Sequence, residues 1–246
     1  MTTPGPFTTF RAALRPGVLL VVILGLTGCN IVRSFPAPDF SDATVKDGAE
    51  PDGATEAGTP CESCLSFSVR IAMSDGDAEE CPDGDVSYGG ASLQLTRDDV
   101  DGCDGEQTVG LFFQPVEVPA GATIHEATIE FTAAASGSEP TDLVIWAEAG
   151  INPPDFDGVD RDVSNRPRLA RNVEWTVDAW AEQGESGPAQ RSPDLRAVVQ
   201  ETVAQPGWAS GNAMAFIVTG TGQRVAVAFD GEPTQAAELT IRYDPR

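Results

Sequence analysis

The chain is short of base. Its 246 residues carry 38 Asp and Glu against 15 Lys and Arg, a formal charge of −23. Lysine occurs once, at Lys46, and every other base is arginine. A field of that sign repels phosphate backbones, which argues against nucleic acid as a partner. Histidine is scarcer still. His125 is the only one, which rules out a His-rich metal centre and leaves little for triad chemistry. It sits beside Glu126 in a strand-like stretch, where a lone histidine is a structural residue. No phosphate-cradling glycine loop, nucleophile elbow or zinc-protease helix occurs. The most apolar run, Val18 to Leu26, has nine residues, whereas a membrane-spanning helix needs about 20. Hydrophobic residues still make up 41% of the chain. That is too much for full disorder and suits one or at most two packed domains.

The apolar run has the layout of a secretory signal. Arg11 and Arg15 precede it and small residues follow. It ends in Leu26-Thr27-Gly28-Cys29, which resembles the bacterial lipobox. The resemblance implies cleavage after residue 28 and acylation of Cys29, with membrane anchoring through the acyl chains. Asn30 rather than Asp follows the cysteine, which by the same resemblance favours the outer membrane or cell surface. Residues 29–60 then read as an acidic tether. Phe35-Pro36-Ala37-Pro38-Asp39 and Asp47-Gly48-Ala49-Glu50-Pro51-Asp52-Gly53 offer too little to bury to offset the ordering entropy.

Four further cysteines, Cys61, Cys64, Cys81 and Cys103, are an even set in an exported chain. They suggest disulfides, with three possible connectivities. The favoured pairs are Cys81–Cys103, stapling the flanks of 86–96, and Cys61–Cys64 as a local loop. A zinc site on all four is the rival reading, weakened by the lack of a second CxxC.

Residues 61–246 read as one all-β domain, an antiparallel β-sandwich of jelly-roll type. Leu65–Ile71 alternates apolar and polar residues, as do Leu93–Leu95 and Ile124–Phe131. Val109–Phe113 is a denser apolar run and Leu143–Trp146 a buried one. Ala213–Thr219, Val225–Phe229 and Leu239–Tyr243 are further strands near the end. Pro119-Ala120-Gly121, Gly220-Thr221-Gly222 and Asp230-Gly231-Glu232-Pro233 punctuate them. One segment has helical spacing instead. Ser192 is the expected N-cap and Pro193 the first helical residue of an amphipathic helix over 193–204. Glu201 belongs on its solvated face.

Two blocks resemble known modules. Val109–Phe113, Val118-Pro119-Ala120-Gly121-Ala122-Thr123-Ile124 and Ala127–Phe131 are similar to the core of DNRLRE-type, carbohydrate-binding-module-like β-sandwiches of secreted bacterial proteins. Val173-Glu174-Trp175, Trp180, Arg191–Leu195, Gln200–Val203, Gly207-Trp208, Gly211–Ala213, Gly220–Gly222, Arg224–Ala226 and Asp230-Gly231 resemble a recurrent module of large secreted or surface proteins. Together they span about residues 65–246. They imply a β-sandwich appendage rather than a particular activity, and jelly-roll binding modules often hold a structural calcium.

Ca²⁺ takes six to eight oxygens, often from closely spaced loop carboxylates, and the expectation falls on Asp75, Asp77, Glu79 and Glu80 because Asp77-Ala78-Glu79-Glu80 resembles a stretch that recurs in the module. Two other Asp clusters, 98–104 and 155–160, are weaker. None has EF-hand spacing. A polysaccharide site would use exposed aromatics, for which Tyr88, Phe156, Trp175, Trp180 and Trp208 are the candidates. The competing reading packs the tryptophans between helix and sheet. Trp146, inside an apolar run, reads as core. The loop 150–172 holds Arg161, Arg166, Arg168 and Arg171. Arg166 and Arg168 are candidates for acidic glycans through carboxylate forks, or else for internal salt bridges. The expectation is a non-catalytic, lipid-anchored binding module for glycan or envelope polymer. The alternatives are a structural or adhesion component that binds surface proteins and, third, a glycan hydrolase.

Overall fold

The structure, a computed structural model, describes residues 64–98 and 103–245. The expected signal segment, the expected acylation site Cys29, the expected tether and Cys61 lie outside the described residues. Thirteen strands and one helix make up the described part. In chain order the strands are β1 (Leu65–Arg70), β2 (Asp77–Glu80), β3 (Val86–Ser87), β4 (Ser92–Leu95), β5 (Arg97–Asp98), β6 (Gly105–Glu106), β7 (Thr108–Phe113), β8 (Thr123–Glu130), β9 (Asp142–Glu148), β10 (Arg168–Thr176), β11 (Met214–Thr221), β12 (Arg224–Val227) and β13 (Glu238–Asp244). The helix α1 (Arg196–Val203) lies between β10 and β11.

The fold is an antiparallel β-sandwich. One layer is a six-stranded sheet in the order β10-β9-β11-β7-β2-β3. The other is β1-β13-β8, continued by the β12-β4 ribbon. Val227 N–H donates to the Thr132 carbonyl, and Ala134 N–H to that of Val225, which join the ribbon to the end of β8. Residues 190–195 run along the rest of that edge. Taken in chain order, β1, β7, β8, β9, β10, 190–195, β11 and β13 change layers in the pattern of a double Greek key, the jelly-roll arrangement.

Strand sequence decides which faces are buried. On β8, Ile124, Ala127 and Ile129 point into the core while Glu126, Thr128 and Glu130 face out. β13 alternates in the same way, with Leu239, Ile241 and Tyr243 inside. β7 and β11 do not alternate. Leu111, Phe113, Phe216 and Val218 enter the main core, and Phe112, Ala215 and Ile217 form a second apolar cluster with Ala78, Phe156 and Val163. A strand apolar on both faces is covered on both faces.

The helix is shorter than its sequence pattern suggested, and Ser192 does not cap it. The Ser192 hydroxyl accepts from Ile129 N–H at 3.0 Å, and Asp194 Oδ1 accepts from Ala127 N–H at 3.0 Å. Both side chains bond the edge of β8 as a neighbouring strand would, partly because Pro193 has no N–H to offer. Asp194 also accepts from Arg196 N–H at the helix start. Val198, Val199, Thr202 and Val203 are buried, as the helical spacing anticipates.

Cys81 and Cys103 form a disulfide. Cys64 is disulfide-bonded too, so no cysteine thiolate among these three is free for zinc.

Candidate functional site

Three loops meet at one end of the sandwich, and a single arginine ties them together. Arg224 is 2% exposed. Its Nε donates to the Asp178 carbonyl at 3.0 Å. Nη1 reaches the Glu139 and Gln223 carbonyls and the Thr141 hydroxyl at 2.7–2.9 Å, and Nη2 reaches the Val177 carbonyl at 3.2 Å. Burial holds its pKa below the usual arginine value, opposed by the fields of Glu139 and Asp178. Gly137 and Trp180 bond each other's main chain in both directions at 2.9 Å. Gly222 closes the turn at φ +83°. A Cβ there would lie 2.2 Å from the Pro140 carbonyl oxygen, so only glycine allows this approach.

These loops border a cleft of about 480 Å³, within the size range of small-ligand sites. Its walls offer the Ser136 and Ser138 hydroxyls, the Glu139 carboxylate and the Gln223 amide, backed by Trp180 and Arg224. The lining residues include one carboxylate and no histidine or cysteine. Polar groups of both donor and acceptor type fit a polyhydroxylated ligand. Glu139, with Asp178 nearby, disfavours a polyanion.

The residues singled out in the sequence lie elsewhere or are occupied. Trp175, Trp180 and Trp208 are 6%, 1% and 4% exposed. Trp208 Nε1 donates to the Val118 carbonyl and Trp180 Nε1 to that of Ala189, so they pack the fold and form no stacking platform. Phe156, expected at the surface, is 1% exposed. The tip of its ring reaches β7 where Gly110 has no side chain; a Cβ at Gly110 would be 2.3 Å from Phe156 Cζ. Trp146, expected in the core, is instead half-buried on the outer face of its sheet, with the Arg168 guanidinium 4.7 Å above the ring. Burial lowers the Arg168 pKa. Tyr88 is exposed, as its Gly-rich setting suggests.

Arg166 stands 4.2 Å over the Phe156 ring. It pairs with Glu148 and Asp162 at 3.0 Å each and donates to the carbonyls of Pro154, Asp155 and Asp162. The guanidinium is spent on its own loop and on Glu148 of β9, which is the internal salt-bridge reading and not the acidic-glycan one. Burial raises the Glu148 pKa against the pull of Arg166. The segment 149–167 is thereby a packed cover on the six-stranded sheet.

The acidic quartet is divided. Asp77, Glu79 and Glu80 are strand residues of β2, so successive side chains leave opposite faces. Asp77 Oδ2 accepts from Phe229 N–H at 2.8 Å and Glu79 from Gln94 N–H, which links β2 to the opposite layer. Glu80 accepts from Val163 and Ser164 N–H at 3.0 and 2.7 Å, holding down the loop. Burial pushes Asp77 up to about 6, with Asp230 adding to it, and Glu79 up to about 7, with Asp98 and Asp77 adding. Among the described residues, no three of these carboxylates come close enough to share an ion. The only such trio is Cys64, His125 and Asp244, in which the sulfur is already in a disulfide.

No family model matches the chain, and no curated protein is similar to it. The loop-end cleft is therefore judged on its own geometry. No sequence motif pointed to it: its lining is mostly main chain and small side chains, contributed by three separate loops. A buried arginine flanked by the Gly-Thr-Gly turn was the one available signal.

Proposed function

We propose that the chain is a non-catalytic binding module, carried at the cell surface on acylated Cys29. Its ligand is a neutral glycan, held in the loop-end cleft. The cleft itself carries this reading: a space of about 480 Å³ between loops tied together by the hydrogen bonds of Arg224, rimmed with hydroxyl, amide and carboxylate groups. Such ties lower the ordering entropy lost on binding. The single lining carboxylate argues against hydrolysis, since glycosidases use two, about 5–9.5 Å apart. The resemblance to carbohydrate-binding-module-like sandwiches and to the lipobox agrees with the assignment. The acidic field adds to it by turning away acidic polymers.

The test is binding of the full chain to arrays of neutral and acidic glycans, beside an Ala179→Trp variant. Ala179 is exposed on the cleft wall, and an indole there fills the space without touching the core. Binding to neutral glycans that the variant loses supports the assignment. Binding untouched by the variant, or none at all, overturns it.

A second reading, adhesion to surface proteins, draws on the open outer face of β1, β13 and β8. There Arg70–Glu238, Arg191–Glu130 and Arg242–Glu126 pairs flank a Ser68–Thr240 hydrogen bond. Cross-linking in cells separates the two, since one dominant protein partner favours adhesion.

A further inference from the structure

The strand β1 is an uncovered edge. It pairs with β13 on one side, and among the described residues nothing bonds its other side. The direction of its free groups follows from the register. Ile71 N–H donates to the Ala237 carbonyl, in continuation of the pairing that sets Leu65 opposite Tyr243. Residues 65, 67 and 69 therefore turn their main chain to β13. Ser66, Ser68 and Arg70 turn theirs outward, because hydrogen-bonding direction alternates along an antiparallel strand.

Native edges are guarded by lysine, proline, bulges or inward charges. β1 reads Leu-Ser-Phe-Ser-Val-Arg, and its register with β13 shows no bulge. Its one guard is Arg70, which is already paired with Glu238 at 3.1 Å. On the inner face Phe67 and Val69 are half-buried and Leu65 is 49% exposed.

We propose that this edge pairs with the β1 edge of a second copy of the chain, about a two-fold axis through Phe67. The sequence is self-complementary in that register. With Phe67 opposite Phe67, Leu65 faces Val69, and every apolar residue meets an apolar residue on the core side. Ser66 faces Ser68 on the solvent side, and these two exchange both main-chain hydrogen bonds. A slip of one residue sets apolar against polar throughout, since successive side chains point to opposite faces. The Phe67 pair falls at a non-hydrogen-bonded position, where side chains approach closest. Charge permits the approach: residues 64–74 contain no acid in a chain otherwise dominated by them. The interface is isologous and closes at two copies. It is independent of the cleft, so either proposal can fail without the other.

The test uses the full chain in mild detergent, with sedimentation velocity and native mass spectrometry across a hundredfold range of concentration. Ser68→Pro removes an outward N–H that the fold itself does not use, and edge strands accept proline. The wild-type chain is expected to dimerise, and S68P to raise the dimer dissociation constant at least tenfold with its thermal transition intact. Phe67→Cys is expected to form an intermolecular disulfide on oxidation, read on a non-reducing gel, whereas Ser66→Cys is not. A monomer at every concentration, or a dimer that a folded S68P leaves unchanged, overturns the proposal. Should S68P unfold, Leu65→Lys takes its place with the same two outcomes.

Discussion

The two sheets bury their inner faces alike and differ on their outer faces. The outer face of the six-stranded sheet is roofed by residues 149–167, with Phe156 and Val163 on Ala78, Phe112, Ala215 and Ile217. The outer face of β1, β13 and β8 is bare among the described residues and carries serine, threonine and paired charges. The difference originates in strand composition. Gly110, Ala78 and Ala215 leave a hollow that an aromatic ring can occupy, while long polar side chains on β8 and β13 fill their own face and need no cover. A roofed face needs a polar anchor as well as a ring, because a loop brings main-chain groups that must be satisfied. Arg166 and Glu80 supply that anchor. The same residue types therefore do different work on the two faces: arginine is a buried rivet on one and a solvated ion-pair partner on the other.

Removal of the rivet is the strongest way to break this contrast. Arg166→Ala is expected to destabilise the fold by about 3–5 kcal/mol, because it strands the Glu148 carboxylate and several loop carbonyls in a dry site. Thermal melting measures the loss, and limited proteolysis should cut first within 149–167. A loss below about 1 kcal/mol would show the loop to be held by Phe156 and Glu80 alone.

The acids separate in the same way, and pH tells them apart. Glu79 and Asp77 face the opposite layer with carboxyls raised to about 7 and about 6. A carboxyl whose folded pKa exceeds its unfolded value favours folding most when protonated. Its contribution is complete below about pH 4 and is lost as pH rises through 6–7. Glu130, on the bare face, goes the other way. Burial would raise it, but Ser186 and Arg191 bring it below the usual value, so its contribution is lost as pH falls. Glu79→Gln is thus expected to stabilise the protein at pH 8 by about 3 kcal/mol, on the basis of about 1.4 kcal/mol per pKa unit, and to change little at pH 4. Denaturant titrations at the two pH values decide it; an equal effect at both would mean that Glu79 does not titrate between them.

Gly110 tests the hollow directly. Gly110→Ala is expected to cost about 1–3 kcal/mol by overpacking against Phe156, and Gly110→Ala with Phe156→Leu should recover part of it. Additive losses in that pair would show the ring not to depend on the glycine.

Part of this contrast was legible in the sequence. Alternation on β1 and β8 marked half-buried strands and Val109–Phe113 stood out as a dense apolar run, but that β7 and β11 are covered on both faces emerges only from the structure. What covered them was not legible. Asp77-Ala78-Glu79-Glu80 resembles a cation loop by composition, because carboxylates that accept main-chain N–H groups leave no trace in periodicity. Phe156, set among aspartates, looked exposed because its partner is an absent side chain 46 positions earlier. The tryptophans had two readings of similar local sequence, and only packing chose between them. The loop-end cleft draws its polar side chains from three separate loops, and the carbonyls that hold Arg224 beneath it carry no residue signature.

The bare face supplies the smallest effect and the sharpest control. Arg242 and Glu126 pair at 3.0 Å with both side chains nearly half exposed. Solvent screens such a pair, and holding two long side chains in place offsets much of the attraction, so its net worth is about 0–1 kcal/mol. Arg242→Ala should therefore shift the melting transition little, and 0.5 M salt should shift it no more in the variant than in the wild type. Arg166→Ala in the same buffer should remain strongly destabilised, because salt does not reach a buried pair. If the two arginines instead responded alike, the loop 149–167 would be open to water, and the distinction between a roofed and a bare sheet would not hold in solution.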